Sequence, residues 1–231
     1  MKIRFILLSL VLFATTSLSA QESDAKFSVP KQIPQETQQL ELACKLVSYG
    51  RETKTALPLI QAVQIFKQLN VVEDEENASQ ATSPFSEAQL LADATKFADG
   101  NKNLLDLIKE AEKTTRGAGW HTGPAKYCSS IEADGTFVMN YWFIGGKVAQ
   151  IVLDGQGEGV TSYDSKGNPL RSDLRLTVYD QKGNVVATDQ TRGENCSVFF
   201  IPPSSSQLTI EIKNVGNRSD DYVLFIYNNN R

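Results

Sequence analysis

Apolar positions in this chain switch spacing near residue 120, from a helical repeat to strict alternation. From Glu36, residues Leu40, Ala43, Cys44 and Val47 share one helical face with Leu46 beside it, and Gly50 stands where a helix C-terminus is expected. Leu59, Ile60, Val63, Phe66 and Leu69 mark a second helix from about Ala56 to Leu69. Thr55 is its expected N-cap, and Pro58 falls in the first turn, where a missing N–H costs little. Ser86-Glu87-Ala88-Gln89 reads as a capping box, framed by Phe85 and Leu90 at the two positions of a hydrophobic staple. The buried face of that third helix continues through Leu91, Ala94, Phe97 and Ala98 to Gly100. A fourth helix, Asn103 to Thr114, carries Leu104, Leu105, Leu107, Ile108 and Ala111. Each helix has one apolar face that another element must cover, so the region 36–116 reads as two helical hairpins.

Two breaks frame this pattern. Residues 70–84 are acidic, then small and polar, and read as a solvated loop in which the EDEE run repels itself. The glycine-rich run RGAGWHTGP at 116–124 stops the helices, placing a hinge at 117–125. Beyond it the period is two. Phe137, Met139, Tyr141 and Phe143 alternate, as do Leu174, Leu176 and Val178, then Leu208, Ile210 and Ile212 against Thr209, Glu211 and Lys213. With 148–153, 185–187, 197–201 and 222–227, the region 126–231 predicts an antiparallel β-sandwich of seven to eight strands. The run YDSKGN at 163–168 recurs as YDQKGN at 179–184, two hairpins with related turns. The fold class is therefore α+β: about four helices, then the sandwich.

The N-terminus reads as an address. Lys2 and Arg4 precede an apolar run from Phe5 to Phe13, and small residues lead to Ser19-Ala20, the order of a secretory signal peptide over 1–20. Polar residues 21–35, with Pro30 and Pro34, form an expected mobile lead-in. No later stretch approaches the length of a membrane-spanning helix, so a periplasmic or secreted protein of about 210 residues is expected. Without Lys2 and Arg4 the chain has 21 basic and 27 acidic residues, a balance of −6. Lacking a basic stripe, it has no footprint for nucleic acid.

Candidate chemistry is sparse. The only histidine is His121, no Gly-x-Ser-x-Gly elbow surrounds a serine, and one histidine with three scattered cysteines lacks zinc spacing. Gly155, Gly157 and Gly159 follow a strand but precede a turn-rich β sequence, where a dinucleotide site needs a helix to begin. Cys44 reads as a small buried apolar residue, while Cys128 and Cys196, both in the β half, could form one disulfide, with free thiols as the alternative. Asp154, Glu158, Asp164, Asp173 and Asp180 gather at strand ends, where several oxygens could converge on calcium, with ordinary turn aspartates as the alternative. Tyr141, Trp142, Phe199, Phe200, Tyr222, Phe225 and Tyr227 fill a core or build a binding platform, and Trp120 and Trp142 are the aromatics whose exposure decides.

The segments VAQIVLDG, SDLRLTVYDQKGNVVATD, NCSVFFIPP and QLTIEIKNVGNRSDDYVLFIYNN together resemble the bacterial pre-peptidase C-terminal (PPC-like) domain over roughly 126–229. That family shows an aspartate-rich strand, an N-G-N-type turn, a C-x-V-x-F-x-P strand and a closing strand pair. The resemblance implies a β-sandwich accessory module of exported proteins, with calcium near the acidic loop in some relatives. Asp173 and Asp180 match acidic family positions, and Asp154 completes the candidate calcium set. Arg175 stands where the second aspartate of the motif belongs, and 155–171 reads as an insertion. The leading expectation is an exported, non-enzymatic binding or accessory protein without a required cofactor and with a protein or polysaccharide partner. The alternatives are a hydrolase or metal-dependent enzyme using these carboxylates, and a carbohydrate-binding module.

Overall fold

Helices form where the apolar periodicity places them. The computed structural model describes residues 26–73, 85–114, 123–155, 162–163 and 165–228. The leader at 1–20, the acidic run at 74–84, and Trp120 and His121 of the hinge lie outside those residues. The helices are α1 (Gln35–Glu52), α2 (Ala56–Gln68), α3 (Glu87–Phe97) and α4 (Lys102–Lys113). Ser86 Oγ accepts from the Gln89 N–H at 3.2 Å, as the capping box requires. Two local expectations change. α1 runs through Gly50, where a Cβ would lie 2.8 Å from the Leu59 side chain, so this glycine permits close approach of α1 and α2. Thr55 sits at the N-cap of α2 but makes no cap bond, sharing a 2.7 Å hydroxyl–hydroxyl hydrogen bond with Thr53 instead.

The strands are β1 (Val72–Glu73), β2 (Ala125–Ile131), β3 (Thr136–Phe143), β4 (Ala149–Gly155), β5 (Ser162–Tyr163), β6 (Pro169–Leu170), β7 (Leu174–Tyr179), β8 (Val185–Asp189), β9 (Asn195–Phe200), β10 (Ser206–Asn214) and β11 (Asp220–Asn228). One sheet has the order β1-β2-β11-β4-β9, and the facing sheet has β3-β10-β7-β8. Only the two-residue β1 is parallel to its neighbour, so the sandwich is two four-stranded antiparallel layers with β1 added. The repeated turns behave alike: β5 pairs with β6 around Gly167 (φ +81°), and β7 with β8 around Gly183 (φ +80°).

Alternation along the five-stranded sheet feeds two cores. Tyr222, Leu224 and Ile226 of β11, with Ile151 and Leu153 of β4, face the other sheet. Val223 and Phe225, with Val152, face the helices. The order of layers is therefore helices, five-stranded sheet, four-stranded sheet. Within the expected lead-in, Ser28 and Ile201 exchange backbone hydrogen bonds of 3.3 and 2.8 Å, and Phe27 meets the Phe200 ring edge-on at 6.4 Å.

This layering corrects the expected disulfide. Cys128 lies on β2 and faces the helices, while Cys196 lies on β9 and faces the sandwich interior. The strands are three positions apart, roughly 14 Å at about 4.8 Å per strand, against a Cα separation of about 7 Å at most for a bridge. No disulfide joins the three cysteines, and all three are buried. Burial pushes the Cys44 thiol well above its ordinary value and Cys196 up to about 12, which suppresses the reactive thiolate. Reductant is therefore expected to leave the unfolding midpoint unchanged, with three thiols titrating only after denaturation. A midpoint that falls in reductant contradicts this arrangement.

Candidate functional site

A sandwich has two outer faces, and here the helices cover one of them. The outer face of the four-stranded sheet carries the other set of alternating side chains. On β3 the inward set is Phe137, Met139, Tyr141 and Phe143, which leaves Val138, Asn140 and Trp142 outside. Trp142 is 59% exposed and Val138 54%. Pairing register lays Gln207 of β10 opposite Trp142, Thr209 opposite Asn140, and Glu211 opposite Val138. One strand further, Tyr179 of β7 lies opposite Thr209.

The polar groups on this face are held by one another. Thr209 Oγ1 donates to Asn140 Oδ1 at 2.9 Å, and the Tyr179 hydroxyl donates to Glu211 Oε1 at 3.1 Å. Desolvation, followed by the Glu211 hydrogen bond, raises the Tyr179 pKa and keeps it a neutral donor at physiological pH. From strand spacing and rise, Trp142 and Tyr179 stand about 12 Å apart with amide, hydroxyl and carboxylate groups between them. A tryptophan this exposed on a flat, hydrogen-bonding surface suits ligands with apolar faces and polar rims.

Of the carboxylates expected to converge, Asp154, Asp173 and Asp180 are dispersed, and Glu158 and Asp164 lie outside the described residues. Asp154, on β4, faces the helices and is 2% exposed. Desolvation raises its pKa to about 8, Arg51 opposes the shift, and Asp220 and Glu194 add to it. Asp173 precedes β7, accepts from the Gly193 N–H at 3.2 Å and pairs with Arg175 at 3.5 Å. Asp180 closes a hairpin turn, its Oδ1 accepting from the Lys182 and Asn184 N–H groups, both at 2.8 Å. The Asn184 side chain donates to Asp180 Oδ2 at 2.9 Å, the main cause of a lowered pKa. Arg175, at the position where the motif has an aspartate, thus serves as the partner of Asp173. Among the described residues no three His, Cys, Asp or Glu side chains are grouped to hold a metal ion.

Sequence reasoning missed the polar seam under the helices. Lys67 of α2 is buried, and its Nζ lies 2.7 Å from Glu87 Oε1 and donates to the Ala111 and Glu112 carbonyls at 2.6 and 3.1 Å. All three donors are used, two of them on the orphan carbonyls at the C-terminal end of α4. Beside it, Lys126 donates to the Phe85 carbonyl at 3.4 Å. Phe66, Phe85 and Phe225 complete the walls of a small cleft of about 30 Å³, room for a water or two. Glu41 of α1 accepts from Ser197 Oγ at 2.6 Å and Gln150 Nε2 at 3.4 Å. These groups lock helices onto the sheet. Their only sequence signal is a lysine within an apolar helical stripe.

No protein-family model matches this sequence, and no curated protein does. Among solved structures, the chain is similar to the pre-peptidase C-terminal domain of a collagenase from Bacillus anthracis, with 15% identity and a TM-score of 0.34 over 45% of this chain and 88% of that one. It is also similar to Aeromonas hydrophila PliG, a periplasmic inhibitor of g-type lysozyme, at 12% identity and a TM-score of 0.31 over 50% of this chain and 90% of that one. A Yersinia pseudotuberculosis-derived mitogen stands at 16% identity and 0.31, over 48% and 89%. The β-sandwich expected for 126–231 is present in this chain as its two facing sheets.

Proposed function

We propose that this chain is an exported, non-enzymatic binding module whose ligand is a polysaccharide, held on the outer face of the four-stranded sheet. The exposure of Trp142 on that face carries the reading. Sugar rings present apolar C–H faces that stack on an indole, and their hydroxyls bond to amides, hydroxyls and carboxylates of the kind supplied by Asn140, Gln207, Glu211 and Tyr179. Dispersal of Asp154, Asp173 and Asp180 over three environments favours binding over carboxylate catalysis. No helix among the described residues is long and apolar enough to cross a membrane.

Affinity electrophoresis through gels containing soluble β-linked or α-linked polysaccharides tests this. Retardation by at least one polysaccharide is expected, weakened about tenfold in Trp142→Ala, a loss of about 1.4 kcal/mol, with an unchanged unfolding midpoint. Free migration through every polysaccharide, or retardation that Trp142→Ala leaves intact, overturns the reading.

A further inference from the structure

One strand beyond Tyr179, the outer face of the four-stranded sheet carries a further apolar residue. Val178 of β7 lies opposite Ala187 of β8, so regular pairing would set Tyr179 opposite Val186. A register shift between Val178 and Tyr179 sets it opposite Val185 instead. Val186 packs against the sandwich core, while Val185 stands 57% exposed on the face that carries Tyr179.

Trp142, Gln207, Tyr179 and Val185 thereby form a diagonal line that crosses all four strands, β3-β10-β7-β8. Gln207 lies opposite Trp142, and Tyr179 stands one strand over and two residues along from Gln207. From strand spacing and rise, the line is roughly 16 Å long. Polar side chains beside it bond one another: Asn140 with Thr209, Glu211 with Tyr179, and Thr177 with Thr188. Among the described residues the exposed Gln207 amide, between the two aromatic rings, has no such partner.

Resting on the polysaccharide reading, we propose that the ligand is a neutral, linear β-1,4-linked glycan, held as an extended chain of about three rings along this line. Trp142 and Tyr179 stand about 12 Å apart, further than a disaccharide spans, so a longer chain is needed to stack on both. β-1,4 links project a chain straight and keep its ring faces parallel to a sheet surface. α-1,4 links turn each ring against the last and coil the chain away from a straight line. Gln207 offers an amide donor and acceptor to the hydroxyls of the ring between the two aromatic contacts. The Glu211 carboxylate beside Tyr179 disfavours a chain that carries acidic groups.

Isothermal titration calorimetry of the mature protein with cello-, xylo- and N-acetylchito-oligosaccharides of graded length, from a single ring to a hexamer, tests this. In at least one series, affinity is expected to rise about tenfold between the dimer and the tetramer and then level off. Tyr179→Ala is expected to abolish that rise and leave the dimer affinity unchanged, whereas Tyr179→Phe, which keeps the ring, retains it. Val185→Ser, at an exposed position, is expected to reduce the rise with unchanged circular dichroism, and it carries the test if Tyr179→Ala fails to fold. Affinity independent of length overturns the proposal, as does a rise that both Tyr179→Ala and Val185→Ser leave intact. Binding of α-linked polysaccharides alone upholds the site and overturns the β-1,4 assignment. Absence of binding to every glycan overturns both.

Discussion

Replacing Asp154 with asparagine is expected to raise stability at pH 8 and leave it almost unchanged near pH 4. The carboxyl is buried between β4 and the helices, and its pKa is raised from 3.8 to about 8. The folded state therefore holds a proton that the unfolded chain releases between those values. Its stabilising effect is complete below the unfolded pKa and is lost as pH rises through the folded one, at about 1.4 kcal/mol per pH unit across the window. Summed over the shift, the loss by pH 8 is about 5 kcal/mol, a large share of a typical domain's stability. Asparagine is neutral throughout and removes the repulsion from Asp220 and Glu194. Arg51 keeps its 3.0 Å ion pair with Asp93 and its place over the Phe85 ring, so the substitution does not strand a buried cation. Urea unfolding midpoints from pH 4 to 8.5 measure the effect. A wild-type midpoint that rises with pH, or a variant with the same slope as wild type, contradicts the assignment.

Phe225→Ala is expected to cost about 3–5 kcal/mol, the usual range for emptying a buried phenylalanine site. Phe225 is fully buried on the helix-facing side of β11. Its ring stacks on Phe66 of α2 at 5.4 Å and meets Phe85 edge-on at 5.8 Å. The side chain therefore joins the helical layer to the sheet, and its loss opens a cavity in the seam rather than in either layer alone. The expected consequence is one cooperative transition, shifted to lower urea, in which the helical circular dichroism signal and aromatic fluorescence change together. Separate transitions for the two signals in the wild type mean that helices and sandwich are independent folding units.

Features that neighbouring residues settle among themselves were readable in advance. Ser86 caps α3 as its spacing with Gln89 implies, and Asp180 ties its turn exactly where Gly183 takes positive φ. Alternation also separated inward Phe143 from outward Trp142, because a pleated strand leaves no other choice. Where a residue had two local roles open to it, the reading went astray. Gly50 has the features of a helix terminator, yet its missing Cβ serves contact with Leu59, a residue on another helix. Thr55 has a capping hydroxyl, but Thr53 claims it.

The candidate site was legible in part. Trp142 was one of two tryptophans singled out for exposure, whereas Asn140, Gln207, Thr209 and Glu211 became its neighbours only through the register of β3 with β10. The burial of Asp154, the bonds of Lys67 to the end of α4, and the separation of Cys128 from Cys196 are likewise products of strand order and layer stacking. Periodicity, caps and turns depend on residues within a few positions of each other, so the chain alone determined four helices followed by an antiparallel sandwich. Which face the helices cover and which carboxylate leaves water depend on contacts between residues far apart in the chain, and only the tertiary structure decided them.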